Sequence, residues 1–169
     1  MTGETASDRS PIGAPLGVGA AAPDFELPGT DGTPEGHRVY ALSAYRGQPV
    51  VLVFYPADNT PVCTVQLTTY TEDIARFAEA GAQVLALSPQ SVESHDEFAA
   101  AQGGFAFPLL ADEAHTVAEA YGVLGPLGFY RRSVFVISPE GRVCYSHRST
   151  AGLTFRPVDE LVAAVASCA

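Results

Sequence analysis

Val50-Val51-Leu52-Val53-Phe54-Tyr55-Pro56-Ala57-Asp58-Asn59-Thr60-Pro61-Val62-Cys63-Thr64 is the stretch on which the fold turns. Six apolar residues run without interruption and stop at Pro56, the pattern of a parallel strand covered on both faces. A helix is expected next. Thr60 suits an N-cap and Pro61 the first helical position, while Cys63, Leu67, Tyr70, Ile74 and Phe77 recur along one face, with Gly81 as the stop.

Downstream, residues 82–87 (AQVLAL) read as a second buried strand and residues 91–101 as a second helix with Val92, His95, Phe98 and Ala99 inward. Residues 107–110 are short and extended, 116–121 form a brief helix closed by Gly122, and 123–129 are a loop broken by Gly and Pro. Residues 133–138 and 142–147 flank Pro139-Glu140-Gly141, a hairpin signal. A closing helix over 157–167 puts Val158, Leu161, Val162 and Val165 on one stripe. Upstream, Phe25 and Leu27, then Val39 and Leu42, belong to two short strands separated by the turn-rich residues 28–36. No internal repeat is present. Alternating strands and helices followed by a hairpin and a terminal helix describe a three-layer α/β/α sandwich of the thioredoxin type, with a mixed sheet and an N-terminal strand extension. Residues 1–21, rich in Gly, Ala, Pro, Ser and Thr, are expected to be a flexible tail ahead of one domain over 22–169.

The composition bounds the function. At 169 residues and 47% hydrophobic, the chain can bury one core, and it has no run of the roughly 18 apolar residues that a membrane span requires. Nine arginines, no lysine and nineteen acids leave a net charge of -10, which opposes binding to nucleic acid or to anionic membranes. Three cysteines, Cys63, Cys144 and Cys168, are widely spaced with no CxxC and no zinc-ligand cluster. Neither a disulfide framework nor a metal or cofactor is expected, and without a signal-peptide pattern the reducing cytoplasm is the default.

Cys63 stands out as the third residue of its helix, where a side chain with negative charge answers unpaired backbone N–H groups. Cysteines in such sites ionise more readily, with pKa values of about 3.5 to 7.5 against about 8.5 for a free thiol. Read from spacing alone, Cys63 is equally a small hydrophobe on the stripe it shares with Leu67 and Tyr70.

Pro56, Thr60 and Cys63, in a P-x-x-x-T-x-x-C pattern after Phe54-Tyr55, resemble the active-site signature of the peroxiredoxins, and FYPxxxTPVCTVQ is most similar to their bacterioferritin-comigratory, or Q-type, subgroup. Arg132 ahead of Ser133-Val134-Phe135-Val136-Ile137 is similar to the family's arginine at the start of a late strand, with Arg131 as the competing assignment. The resemblance runs from Ala22 to the last helix. It implies a peroxidase that reduces hydrogen peroxide and organic hydroperoxides. Cys63 is then the nucleophile that becomes a sulfenic acid, Thr60 its hydroxyl partner, Pro56 the shield of the site, and Arg132 the donor to the thiolate and the peroxide oxygens. Gln66 and Tyr55 match the subgroup but read equally as a polar helix residue and a core aromatic. The implied reductant is thioredoxin, glutaredoxin or a low-molecular-weight thiol, and the expected state a monomer or homodimer.

Many Q-type members carry a second cysteine five residues after the first, where this chain has Thr68. Cys168 and then Cys144 are the internal candidates for resolving a sulfenic acid, behind an outside thiol. The rival reading is a redox-inert scaffold of the same fold with Cys63 buried. His37, His95, His115 and His147 read as surface or satisfied core residues, Asp96 and Glu97 as a solvated helix face, and Glu72/Arg76 and Asp73/Arg76 as helix-surface pairs. A low pKa alone does little: lowering it from about 8.5 to about 6 gains at most about 30-fold in thiolate at pH 7 and forfeits roughly tenfold in nucleophilicity. The remaining acceleration must come from donors aimed at the departing oxygen, where one can be worth about 10² to 10³ in rate.

Overall fold

The computed structural model describes residues 15–149 and 154–168. The expected strand over 50–55 is β3 (Val50–Phe54), and it occupies the interior of a seven-stranded sheet. The other strands are β1 (Glu26–Thr30), β2 (Arg38–Ala41), β4 (Gln83–Ser88), β5 (Leu109–Ala111), β6 (Ser133–Ile137) and β7 (Val143–Arg148), in the order β2-β1-β5-β4-β3-β6-β7. β3 pairs in parallel with β4 and antiparallel with β6, so every backbone group along it meets a neighbour. All five of its residues are buried because both faces are covered, which accounts for the unbroken apolar run.

The alternation of β3 divides the core. Val51 and Val53 face one layer, with Leu67, Tyr70, Phe77, Phe98, Leu161 and Val165. Val50, Leu52 and Phe54 face the other, with Phe25, Leu42, Val117, Tyr121 and Tyr130. The first layer is built by helices α1 (Pro61–Glu72), α2 (Ile74–Glu79), α3 (Val92–Ala101) and α5 (Val158–Cys168), and the second includes α4 (Thr116–Ala120).

Three details depart from the sequence reading. The helix expected to run unbroken to Gly81 is two, α1 and α2, separated at Asp73, whose N–H bonds back to Thr69 and Thr71 carbonyls. Arg76 accordingly pairs with Asp159 at 2.5 Å rather than along its own helix. Asp96 is not simply solvated, since it accepts from Thr30 Oγ1 at 2.7 Å and meets His37 at 2.7 Å. Residues 15–21, read as part of the tail, are hydrogen-bonded to the folded unit: Leu16 N–H donates to Tyr121 O, and Gly19 N–H to Val143 O. Residues 1–14 of the expected tail lie outside the described residues.

Asp112, 1% exposed at the end of β5, fixes the second layer. Its carboxylate accepts from the N–H groups of Val117 (3.2 Å) and Ala118 (3.0 Å) and from Tyr130 Oη. Removing a buried acceptor strands all three donors. Asp112→Ala is therefore expected to cost about 2 to 4 kcal/mol, read in urea unfolding as a lower midpoint with an unchanged slope.

Candidate active site

The loop after β3 is held from its first residue. Tyr55 N–H donates to Leu87 O at 3.0 Å, extending the ladder one residue beyond the strand. Asn59 turns the chain with φ of 63°, a left-handed conformation that Asn tolerates better than most residues. Thr60 then holds the extended backbone of an N-cap and Pro61 opens α1. The Thr60 hydroxyl does not cap the helix, however; it turns back and donates to Ala57 O at 3.0 Å. Thr60 makes no side-chain cap to α1, so the N–H groups of the first turn have no N-cap acceptor. Cys63 is the third helical residue, is 0% exposed and is the free cysteine of the chain.

The register of β3 and β6 brings in the arginine. Phe54 lies opposite Ser133, so Tyr55 leaves β3 at the same edge of the sheet at which Arg132 enters β6. Arg132 is 4% exposed, and its Nη1 donates to Gln66 Oε1 at 2.7 Å. Gln66, fully buried, sits three residues after Cys63 and therefore on the same face of α1. Arg131 points elsewhere: its side chain lies over Gly125, where an added Cβ would come within 2.8 Å of Nε. Extended neighbours face opposite sides, which is why the two arginines diverge. Pro56 and Ala57 line an open cleft of about 440 Å³ together with Pro89, Gln90, His115, Gly128, Phe129 and Tyr130. A larger cavity, about 610 Å³ between His37, Asp96 and Gly103, touches none of the loop and is not this site.

Beneath the loop lies a group that the sequence reading missed. Asp58 is buried, and its carboxylate accepts from Tyr55 Oη and Ser94 Oγ, both at 2.7 Å, with His95 Nδ1 at 2.7 Å. His95 is 0% exposed, and its Nε2 meets Leu110 O at 2.9 Å, so both ring nitrogens face oxygen partners. Asp58 N–H donates to Gln90 Oε1. The loop is thus tied to β3, to the β4–α3 turn, to α3 and, through His95, to β5. The sequence signal for it is His95 on the inward stripe of its helix; Asp58 lies in a turn-rich segment with no periodicity to mark it as buried.

Burial raises the Asp58 carboxyl, but the hydrogen bond and charge of His95, with Ser94 and Tyr55, outweigh it and hold the group below its usual value of 3.8. Burial and the Asp58 charge push the Tyr55 phenol well above its usual range, so it remains a donor. A depressed carboxyl contributes stability above the unfolded value and loses it as pH falls through the folded one. Breaking the pair by His95→Ala is expected to cost about 3 to 5 kcal/mol at pH 7 and to speed alkylation of Cys63. Asp58→Asn should remove that part of the stability loss which the parent chain shows on acidification below about pH 4, measured by urea unfolding at each pH.

The other two cysteines run against the expectation of no disulfide framework. Cys144 in β7 and Cys168 at the end of α5 form a disulfide with Cα atoms 5.8 Å apart, inside the usual range. Docking of α5 across β6 and β7 carries its last residue over the start of β7, a proximity that 24 residues of separation conceal. Among the described residues no cluster of His, Cys, Asp and Glu could hold a metal. Nor, among the described residues, is any helix long and apolar enough to cross a membrane.

Comparison with known proteins agrees with this arrangement. Residues 18–146 match the AhpC/TSA family. Peroxiredoxin Bcp of Xanthomonas campestris pv. campestris is 40% identical over 114 residues, covering 63% of this chain and 71% of its own. A putative peroxiredoxin in the rubredoxin operon of Clostridium pasteurianum is 35% identical over 152 residues, 85% of this chain and 84% of its own. The solved structure of the Xanthomonas campestris bacterioferritin comigratory protein, studied for alkyl peroxide reduction, superposes with a TM-score of 0.74 at 34% identity over 90% of this chain and 96% of that one. The thioredoxin-like α/β fold, the family match and these relatives lead to one conclusion: the chain belongs to the AhpC/TSA family and is a peroxiredoxin, a thiol-dependent peroxidase.

Proposed function

We propose that Cys63 is the peroxidatic nucleophile and that an external thiol, not a second cysteine of the chain, restores it. The observation that carries this reading is the division of the cysteines: Cys63 is free beneath the uncapped start of α1, while Cys144 and Cys168 are bonded to each other. The Cys63 thiolate attacks one peroxide oxygen, the O–O bond breaks, and the departing alkoxide or hydroxide takes a proton, leaving a sulfenic acid. Arg132, aligned by Gln66, and the first-turn N–H groups supply donors where charge accumulates on the leaving oxygen. Thr60, whose hydroxyl proton goes to Ala57 O, offers its oxygen as an acceptor for the hydroperoxide proton, and Pro56 walls the site from water. The sulfenic acid then condenses with an external thiol, releasing water, and a second thiol frees Cys63 as a disulfide departs.

Alkyl peroxide reduction is the activity studied in the Xanthomonas campestris bacterioferritin comigratory protein. For this chain the proposed substrates are hydrogen peroxide and organic hydroperoxides, whose apolar groups suit the cleft beside Pro56, with Phe129 and Tyr130. Thioredoxin, glutaredoxin and low-molecular-weight thiols are the reductant classes, consistent with a compartment such as the cytoplasm that keeps a thiol pool reduced. Since Cys63 has no exposed surface, the outside thiol requires the first turn of α1 to open.

Cys63→Ser is expected to fold and to retain less than about 1% of peroxide consumption, because serine is a far poorer nucleophile near neutral pH. Arg132→Met should slow the reaction about 100-fold or more and Arg131→Met only a few-fold. Equal effects or a reversed order, in stopped-flow measurement with limiting peroxide, contradict the assignment.

A further inference from the structure

The disulfide is far from the peroxide chemistry. β6 and β7 are antiparallel, with Ser133 opposite Arg148 at the end that carries Arg132 and Ile137 opposite Val143 at the other. Cys144 adjoins Val143, four residues from Arg148, which is about 13 Å of strand at roughly 3.3 Å per residue. Cys63 belongs to the first end, where Phe54 faces Ser133. A disulfide needs Cα atoms within about 7 Å, and Cys144 and Cys168 already meet that condition with each other, 5.8 Å apart.

The pair also occupies a mechanical position. The start of α5 is held by Tyr70 Oη donating to Arg156 O at 2.7 Å and by Glu160, which takes the Arg156 guanidinium and Tyr145 Oη. Its inner face is held by buried Val158, Leu161 and Val165. Its last turn carries the disulfide, and both sulfur-bearing residues are only half-buried.

We propose that Cys144 and Cys168 form a second thiol–disulfide site, independent of Cys63, that exchanges with external dithiols and disulfides and fastens the last turn of α5 to β7. A dithiol of the thioredoxin class attacks Cys168 Sγ as a thiolate. The S–S bond breaks, Cys144 departs and takes a proton, and the reductant's second thiol displaces Cys168 from the mixed disulfide. The protein gains two electrons and two protons, and the dithiol becomes a disulfide. Oxidation by a small disulfide, such as that of glutathione, runs through the reverse exchange. Cys168 is the sulfur attacked because it ends a helix, whereas Cys144 lies within a strand with Sγ 3.3 Å from Val136 O. Opening the bond leaves α5 docked through its apolar residues and frees only its last turn.

The test treats the wild-type chain and Cys63→Ser with glutathione disulfide and then with a reduced dithiol, with peptide mapping by mass spectrometry, hydrogen exchange and thermal unfolding at each stage. The expected result is a Cys144–Cys168 linkage in both chains that the dithiol removes. Reduction should also give several-fold faster exchange confined to the end of α5 and a Tm lower by about 5 °C or more. The Cys144→Ala/Cys168→Ala variant should show one Tm in both conditions and retain the peroxide reaction of Cys63 within a few-fold. The proposal is overturned by absence of the linkage after oxidation, by a linkage that needs Cys63 or includes it, or by equal exchange and Tm in the two redox states. Because Cys63→Ser carries the linkage test, loss of the peroxidase assignment would leave the result readable.

Discussion

The pairing of β3 with β6 is the constraint on which the rest depends. β3 cannot leave the interior without exposing five buried residues, and its antiparallel register with β6 sets Phe54 opposite Ser133. The loop that follows β3 and leads to Cys63, and Arg132, which precedes β6, therefore lie at one edge of the sheet. Neither segment could be moved independently, since a one-residue slip in register would send Val134 and Val136 to the opposite face and turn Arg132 away from Gln66.

Within that frame the loop is positioned by charge rather than by apolar packing. A carboxylate taken out of water is costly unless several donors meet it, and Asp58 has Tyr55, Ser94 and His95. His95 in turn needs an acceptor on its far nitrogen and finds Leu110 O. The network spans β3, α3 and β5, so the geometry of the Cys63 loop is set by three separate elements. Rigidity of this kind is what a preorganised donor set requires, because a small displacement of donors costs catalytic rate.

Much of this was legible in the sequence for definite reasons. The apolar run 50–55, the Thr60-Pro61 helix start and the turn at Pro139-Glu140-Gly141 are local signals, and the elements appear where those signals lie. The divergence of Arg131 and Arg132 followed from the two-residue period of extended chain. What was hidden depended on long-range packing. Asp73 breaks the helix in a segment whose apolar period continues through it. Asp58 is polar and in a turn, and only the approach of α3 buries it. Cys144 and Cys168 meet because α5 lies across β6 and β7, and residues 15–21 are held by strand edges that local composition does not reveal.

The account stands on Cys63 acting without an internal partner, and one experiment addresses it directly. The wild-type chain, with its Cys144–Cys168 bond formed, is given one equivalent of hydroperoxide in the absence of reductant, and its peptides are mapped by mass spectrometry. One added oxygen on the peptide bearing Cys63, with the Cys144–Cys168 linkage intact, is the expected result, and excess peroxide should add two or three. A stoichiometric disulfide between Cys63 and Cys144 or Cys168, or oxygen gained elsewhere while Cys63 stays reduced, would contradict it.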